Sequence, residues 1–311
     1  MPNVKHAHGL LLIATLLFVV VTRTVAQPGS SGMAFLKLGV SGRGTAMADA
    51  GSAASSGAAA TYYNPAGLVN TDGLVPSAQL MFMHREWIQD TRMEFLGSSV
   101  PLGLNDAFGV SINSTTVSDI EVRTRPGPPD GTFTSREVSA GLSYAHRFTG
   151  DLRAGITAKF LYQKIFVDEG SGFAADLGAI WNTPLDSLSI GAALSNLGSM
   201  GVLHSERTVL PSLLRIGPAY ALNLNTDQLG ATVALDFVRI FPEKRTYVNA
   251  GGELTLTRTV AVRGGYQFGS DGRGLTLGAG IAYGIVALDY AYARIASDLG
   301  DAHTISLSLN F

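Results

Sequence analysis

Ala302-His303-Thr304-Ile305-Ser306-Leu307-Ser308-Leu309-Asn310-Phe311, the last ten residues, decide the fold. In an extended chain Ile305, Leu307, Leu309 and Phe311 fall on one face and Thr304, Ser306, Ser308 and Asn310 on the other. Successive side chains of a strand point to opposite faces, so this strand has one oily face and one hydroxyl-and-amide face. An exposed oily edge strand at the end of a water-soluble domain invites aggregation. A membrane barrel ends this way without that penalty: the oily face meets lipid and the edge pairs with the first strand.

The same alternation recurs upstream. In Leu275 to Tyr283 the outward set is Leu275, Leu277, Ala279, Ile281 and Tyr283, and the inward set is small or polar. Val260 to Phe268 carries Arg263 and Gln267 inside, and Val286 to Tyr292 carries Asp289 inside with Tyr290 and Tyr292 outside. About fourteen such strands are expected, starting near Pro76, Thr91, Ala107, Phe133, Leu152, Gly172, Ser187, Ser212, Gln228, Arg245, Thr259, Gly274, Ile285 and Ala302. Roughly ten residues is the length a tilted membrane strand needs. Tight turns follow the even strands (Thr149-Gly150-Asp151, Asn225-Thr226-Asp227, Gly284) and longer loops the odd ones (Ser118 to Thr132, Asn196 to Pro211). Short periplasmic turns and long outer loops are the asymmetry of an outer-membrane barrel, and an even strand count places both termini in the periplasm. The expected fold is thus an all-β membrane protein, a fourteen-stranded antiparallel transmembrane β-barrel over residues 76–311. A soluble β-sandwich would have shorter strands and a more charged outer face.

Composition agrees. The 311-residue chain is 46% hydrophobic and only 15% charged, against about 25% charged in soluble domains. The long apolar run Gly9 to Val21 follows Lys5 and leads to Thr24-Val25-Ala26, the pattern of a secretory signal over residues 1–26. With no cysteine, disulfides and thiolate metal sites are unavailable. A net charge of −2 without a basic patch argues against nucleic acid as a partner.

Residues 27–75 break the strand pattern. The stretch from Met33 to Val75 is rich in Gly and Ala, and Asn64-Pro65-Ala66-Gly67-Leu68 carries a turn signal. It is too small to hold its own core, while a barrel of this size is too wide for its own side chains to fill. It is therefore expected to plug the lumen as a hatch; a loose linker would be richer in charge, Ser and Pro.

These residues carry a family likeness. Phe35-Leu36-Lys37-Leu38-Gly39, Ser41-Gly42-Arg43-Gly44-Thr45-Ala46-Met47 and Tyr63-Asn64-Pro65-Ala66-Gly67-Leu68 resemble the N-terminal hatch of the FadL-like superfamily. Ala175-Asp176-Leu177-Gly178, Ser195-Asn196-Leu197-Gly198, Leu210-Pro211 and the tail from Leu288 to Leu307 resemble its PorV/PorQ branch. The resemblance implies a hatch-filled outer-membrane barrel. It also implies one of two roles: accessory or cargo escort in protein secretion and surface assembly, or passive uptake of hydrophobic small molecules. Implied partners are outer-membrane lipid and either secretion-system proteins or a hydrophobic ligand. A terminal Phe311 resembles the signal read by the outer-membrane insertion machinery. The chain is shorter than the escort proteins, with modest outer loops.

By alternation Arg153, Lys159, Asp176, Arg215, Asp236, Glu253, Arg263 and Asp289 face the lumen, since a charge on the lipid face near the midplane costs about 2–4 kcal/mol. They either set selectivity or bind a headgroup, or they pair with one another and with hatch backbone; pairing is the favoured reading. His303 is expected just before the last strand as a loop or interface residue, and His84, His146 and His204 lack ligand spacing. Neither a dinucleotide loop nor a Gly-x-Ser-x-Gly nucleophile motif is present. The expectation is a barrel without catalytic, cofactor or metal sites.

Overall fold

The computed structural model describes residues 30–69, 77–88, 90–203, 206–223, 228–257, 259–270, 272–295 and 300–311. The expected signal segment, the turn Asn225-Thr226-Asp227, His204 and Asp298-Leu299 lie outside the described residues.

Fourteen antiparallel strands close into a barrel in which sequence neighbours are spatial neighbours. They are β1 (Gln79–Glu86), β2 (Thr91–Pro101), β3 (Asp106–Val122), β4 (Gly131–Arg147), β5 (Leu152–Ile165), β6 (Asp168–Asn182) and β7 (Leu188–Met200), then β8 (Leu213–Asn223), β9 (Leu229–Ile240), β10 (Arg245–Leu256), β11 (Val260–Phe268), β12 (Arg273–Tyr283), β13 (Val286–Ile295) and β14 (Asp301–Asn310). A two-residue pair, Val202–Leu203 with Glu206–Arg207, decorates the β7–β8 connection. The seam closes where Gln79 pairs Asn310 and Glu86 pairs His303. The end holding Gln79 and Asn310 is called the seam rim, and the opposite end the far rim.

The terminal strand behaves as its alternation requires. Ile305 and Leu307 are 49% and 39% exposed on the wall, whereas Thr304 and Ser306 are 0% and 1% exposed in the lumen. Leu275, Leu277 and Ile281 on β12 and Leu142, Ile156, Phe160 and Leu177 on β4 to β6 extend the same outward apolar surface. Such a surface is stable only against hydrocarbon.

Strand starts fall within four residues of those expected from sequence, and the largest shift is at β6, which begins at Asp168 rather than near Gly172. The β3–β4 and β7–β8 loops are shorter than expected, because Ser118 to Val122, Gly131-Thr132 and Asn196 to Met200 continue the strands. Polar, alternating residues beyond the apolar band pair as strand just as well as apolar ones, so hydropathy does not mark where the ladder stops. The β5–β6 connection is only Phe166-Val167, so the alternation of loop lengths is weaker than the sequence suggests. His303 lies inside β14, facing outward, where its Nδ1 lies 2.7 Å from Tyr290 Oη.

The hatch, residues 30–69, fills the lumen with short helical turns. These include α1 (Gly42–Ala46), capped by Ser41 Oγ accepting from Gly44 N, and α2 (Ala60–Tyr63). Its course runs the length of the barrel. Ser30 Oγ donates to Pro242 O in the far-rim β9–β10 turn, and Gly32 N donates to Val209 O. At the other end Ala58 N donates to Gln79 Oε1 at the seam rim. The two strand ends of the barrel thus share a rim, as an even count demands, but Ser30, the first described residue, sits at the opposite one. An even strand count fixes only the strand ends; the hatch crosses the lumen between Ser30 and β1.

Candidate functional site

The site is built where hatch and wall meet. Asn64 caps the turn Pro65–Leu68: its Oδ1 accepts from Ala66 N at 3.1 Å. Its Nδ2 lies within hydrogen-bonding distance of Ser52 O (2.6 Å), Ala179 O (3.1 Å) and Ala192 O (3.3 Å), so one side chain joins two hatch turns to β6 and β7. The wall opposite is glycine because nothing larger fits. A Cβ on Gly178 would lie 2.0 Å from Asn64 Oδ1, one on Gly155 2.6 Å from Pro65 C, and one on Gly191 2.1 Å from Ser52 O. Pro65, Ala66, Gly67 and Leu68 are all buried at this contact.

The eight lumen-facing charges fall into separate groups. Asp236 on β9 accepts from Gly51 N and Ser52 N, each at 2.9 Å, and from Ser52 Oγ. Glu253 on β10 accepts a two-pronged contact from the hatch residue Arg43 (Nε and Nη2, each 2.9 Å) and one from Arg263 Nε at 2.5 Å. Arg263 Nη1 then reaches Asp289 Oδ1 at 2.7 Å, so Arg43, Glu253, Arg263 and Asp289 form one alternating chain of charge. Arg153 Nη1 donates to Val69 O at 2.7 Å. Arg215 lies over the Tyr62 ring at 5.1 Å and its Nη2 donates to Tyr62 Oη. Lys159 pairs with Asp176 at 2.5 Å and donates to Asn196 Oδ1 at 2.9 Å.

That last group explains three sequence motifs at once. Asn196 has φ +60, its N donates to Asp176 Oδ1 at 2.7 Å and its Nδ2 donates to Pro211 O at 3.2 Å. The β6–β7 register shifts between Ala175 and Leu177. Asp176 and Asn196, far apart in sequence, therefore form one β-bulge, which Pro211 O braces from the β7–β8 connection.

Sequence reasoning missed four further members of the lumen network. Arg85 is fully buried: Nε donates to Thr304 Oγ1 at 2.8 Å and Nη2 donates to Thr45 Oγ1. Arg273 Nη2 binds Asp49 Oδ2 at 2.5 Å, and Tyr63 Oη donates to Asp49 Oδ1 at 2.6 Å. Burial pushes the Asp49 carboxyl up, but the guanidiniums of Arg273 and Arg85 outweigh it and hold the carboxyl below its ordinary value. Burial, reinforced by Asp49, raises the Tyr63 phenol well above its own. On β1 the signal was hidden because Met81 and Met83 face inward onto the hatch beside outward Leu80 and Phe82, which erases the alternation. At the far rim Lys37 and Ser31 both donate to Glu243 Oε1, each at 2.5 Å.

Two cavities flank the hatch. A cup of about 440 Å³ opens at the seam rim, lined by small hydroxyl and alanine side chains with Arg43, Arg153, Arg263 and Asp289. A second, of about 410 Å³, lies at a break in the wall. The β7–β8 ladder ends at Ser195 paired with Leu213; beyond it Leu197 to Met200 pair only with β6. The cavity occupies that gap, between Leu197-Gly198-Ser199 and Thr208-Val209-Leu210. An apolar cluster abuts it: Met33, Phe35 and Leu36 of the hatch with Leu161, Ala174, Met200 and Leu210. Among the described residues no group of His, Asp and Glu is placed to hold a metal ion.

No protein-family model matches the chain, and no curated protein matches it by sequence. Solved structures do share the fold. A toluene transporter from Pseudomonas putida, TodX, superposes with a TM-score of 0.59 at 12% identity, over 88% of this chain and 97% of that one. A FadL homologue from Pseudomonas aeruginosa gives 0.55 at 13% identity, over 88% and 98%. A TodX mutant described as a monoaromatic hydrocarbon channel gives 0.52 at 11% identity, over 83% and 96%. At these identities the likeness establishes the architecture of a plugged barrel and nothing finer.

Proposed function

We propose that this chain is a passive channel of a bacterial outer membrane for small hydrophobic molecules. The observation that carries the reading is the wall break between β7 and β8, where a cavity of about 410 Å³ abuts the apolar cluster at the start of the hatch. An apolar solute that enters it loses contact with water, which supplies the driving force, about 25 cal/mol per Å² of apolar surface buried. The gap lies in the wall, so the solute leaves sideways into hydrocarbon while the hatch stays seated. The structural neighbours described as a toluene transporter and a monoaromatic hydrocarbon channel support the solute class. The same reading places the far rim outside the cell and the seam rim in the periplasm. Uptake of a monoaromatic into vesicles holding the purified barrel tests it. Leu197→Trp, which fills the gap, is expected to reduce uptake several-fold, and Ser187→Trp at the polar cup to leave it unchanged. Equal uptake in the parent and Leu197→Trp would sink the idea.

A second reading, an accessory or escort barrel of protein secretion of the PorV/PorQ type, is favoured by one observation. The motifs that resemble that branch, around Asp176, Asn196 and Pro211, converge on a single bulge beside the far rim. Crosslinking in native membranes from an introduced cysteine at Val202 tests it. Recovery of the barrel without any secreted protein or secretion subunit counts against that role.

A further inference from the structure

Outside the barrel, beyond the apolar band, the register sets a line of charge. Arg92 on β2 pairs Thr116 on β3, Thr116 pairs Arg136 on β4, and Arg136 pairs Lys164 on β5. Every second residue shares a face, so all four side chains point outward, and Arg92, Arg136 and Lys164 are exposed. Glu86 on β1 and Glu169 on β6 close the row at its two ends. Yet none of the three cations forms an ion pair with a described carboxylate. Glu169 instead accepts from Tyr162 Oη at 2.8 Å. One outward position nearer the middle of the wall, the parallel row is Glu94, Ser114, Val138 and Tyr162; the next is Leu96, Ile112, Ala140 and Phe160. The cations therefore stand just past the level at which the wall turns from apolar to polar, at the depth of lipid headgroups.

We propose that Arg92, Arg136 and Lys164, with the Thr116 hydroxyl between the first two, form a binding row for a lipid bearing two phosphates in the leaflet around the far rim. Strands lie about 4.8 Å apart. The row thus spans three such spacings, long enough for two anionic groups on one headgroup rather than a single ion. Arg136 and Lys164, on adjacent strands, hold one phosphate; Arg92 and Thr116 hold the other. Guanidinium forks suit phosphate oxygens, and a headgroup beside the wall is already desolvated on its inner side. The inference rests on the outer-membrane reading but not on the solute: a barrel that carries no hydrophobic molecule would keep this row.

The test is lipid binding by the purified full chain, followed by native mass spectrometry with lipid A as probe. Arg92→Gln, Arg136→Gln and Lys164→Gln combined are expected to weaken binding by about a hundredfold, at roughly fivefold per cation near a membrane surface. Arg123→Gln with Arg125→Gln, in the β3–β4 loop, serves as the control and is expected to change it little. A second arm needs no variant: the parent chain should bind dephosphorylated lipid A far more weakly, and inorganic phosphate at millimolar concentration should not displace the lipid. Unchanged binding by the triple variant overturns the proposal. So does equal binding of the dephosphorylated lipid, and displacement by inorganic phosphate would show an ion site rather than a lipid site.

Discussion

Asp236 shows what a lumen charge does in this barrel. It is 1% exposed and faces hatch backbone, so its oxygens complete the hydrogen bonding of Gly51 and Ser52 where no secondary structure does. Asp236→Ala leaves two buried N–H groups and a hydroxyl unmet, at a cost of about 2–4 kcal/mol; thermal unfolding in detergent should show a clear fall in Tm, and Asp236→Asn, which keeps one acceptor, a smaller one. An equal Tm for the parent and both variants would mean the hatch is not held there. Phe311 makes the opposite case, an exposed aromatic whose backbone N donates to Ala78 O at the seam. Phe311→Asp is expected to lower the membrane yield more than Ser308→Asp. The second substitution places its charge in the polar cup that Ser308 already lines. Equal yields would remove the terminal aromatic from any role in insertion.

Among the elements, the strap from Ser30 to Lys37 is held at the far rim by a carboxylate, Glu243, whose charge sets its pH dependence. Burial raises the Glu243 carboxyl, but the bonds from Lys37 and Ser31 and the Lys37 charge bring it below its ordinary value of 4.5. A depressed carboxylate contributes stability above its unfolded value and loses it as pH falls through the folded one. The strap should therefore loosen only in strong acid. Amide exchange over Gly32 to Lys37, corrected for intrinsic rate, should be faster at pH 3 than at pH 7, and Glu243→Gln should show the faster behaviour at pH 7. Protection that ignores both changes would show that the pair does not hold the strap. Strands were the legible elements: β2, β5 and β10 begin where alternation and turn residues put them, at Thr91, Leu152 and Arg245. Alternation reports one face against the other, so it failed where both faces are apolar, as around Met81 and Met83. It also could not reveal that Asn196 continues β7, because a bulge shifts the very period being read.

For the whole molecule, the hatch is expected to govern conduction. Removal of residues 33–69 uncovers Arg43's partner Glu253, together with Asp236 and Arg85, and water replaces the hatch as their solvent. A planar bilayer holding the shortened chain should conduct ions, and the parent should not. Conductance by both would show a pore that bypasses the hatch. The barrel and its content were legible from period and composition, but the direction in which the hatch runs was not, since no local pattern records which rim a loop-like segment touches. That direction has a consequence for assembly. The segment enters at one mouth and joins β1 at the other, so it threads the ring like a cord through a bead. Pairing of β1 with β14 completes the ring around it. A pull applied to Ser30 from the far mouth would load the Lys37–Glu243 contact first, then Arg43 and the Asp236 anchor, and Asn64 last, before the cord could slide.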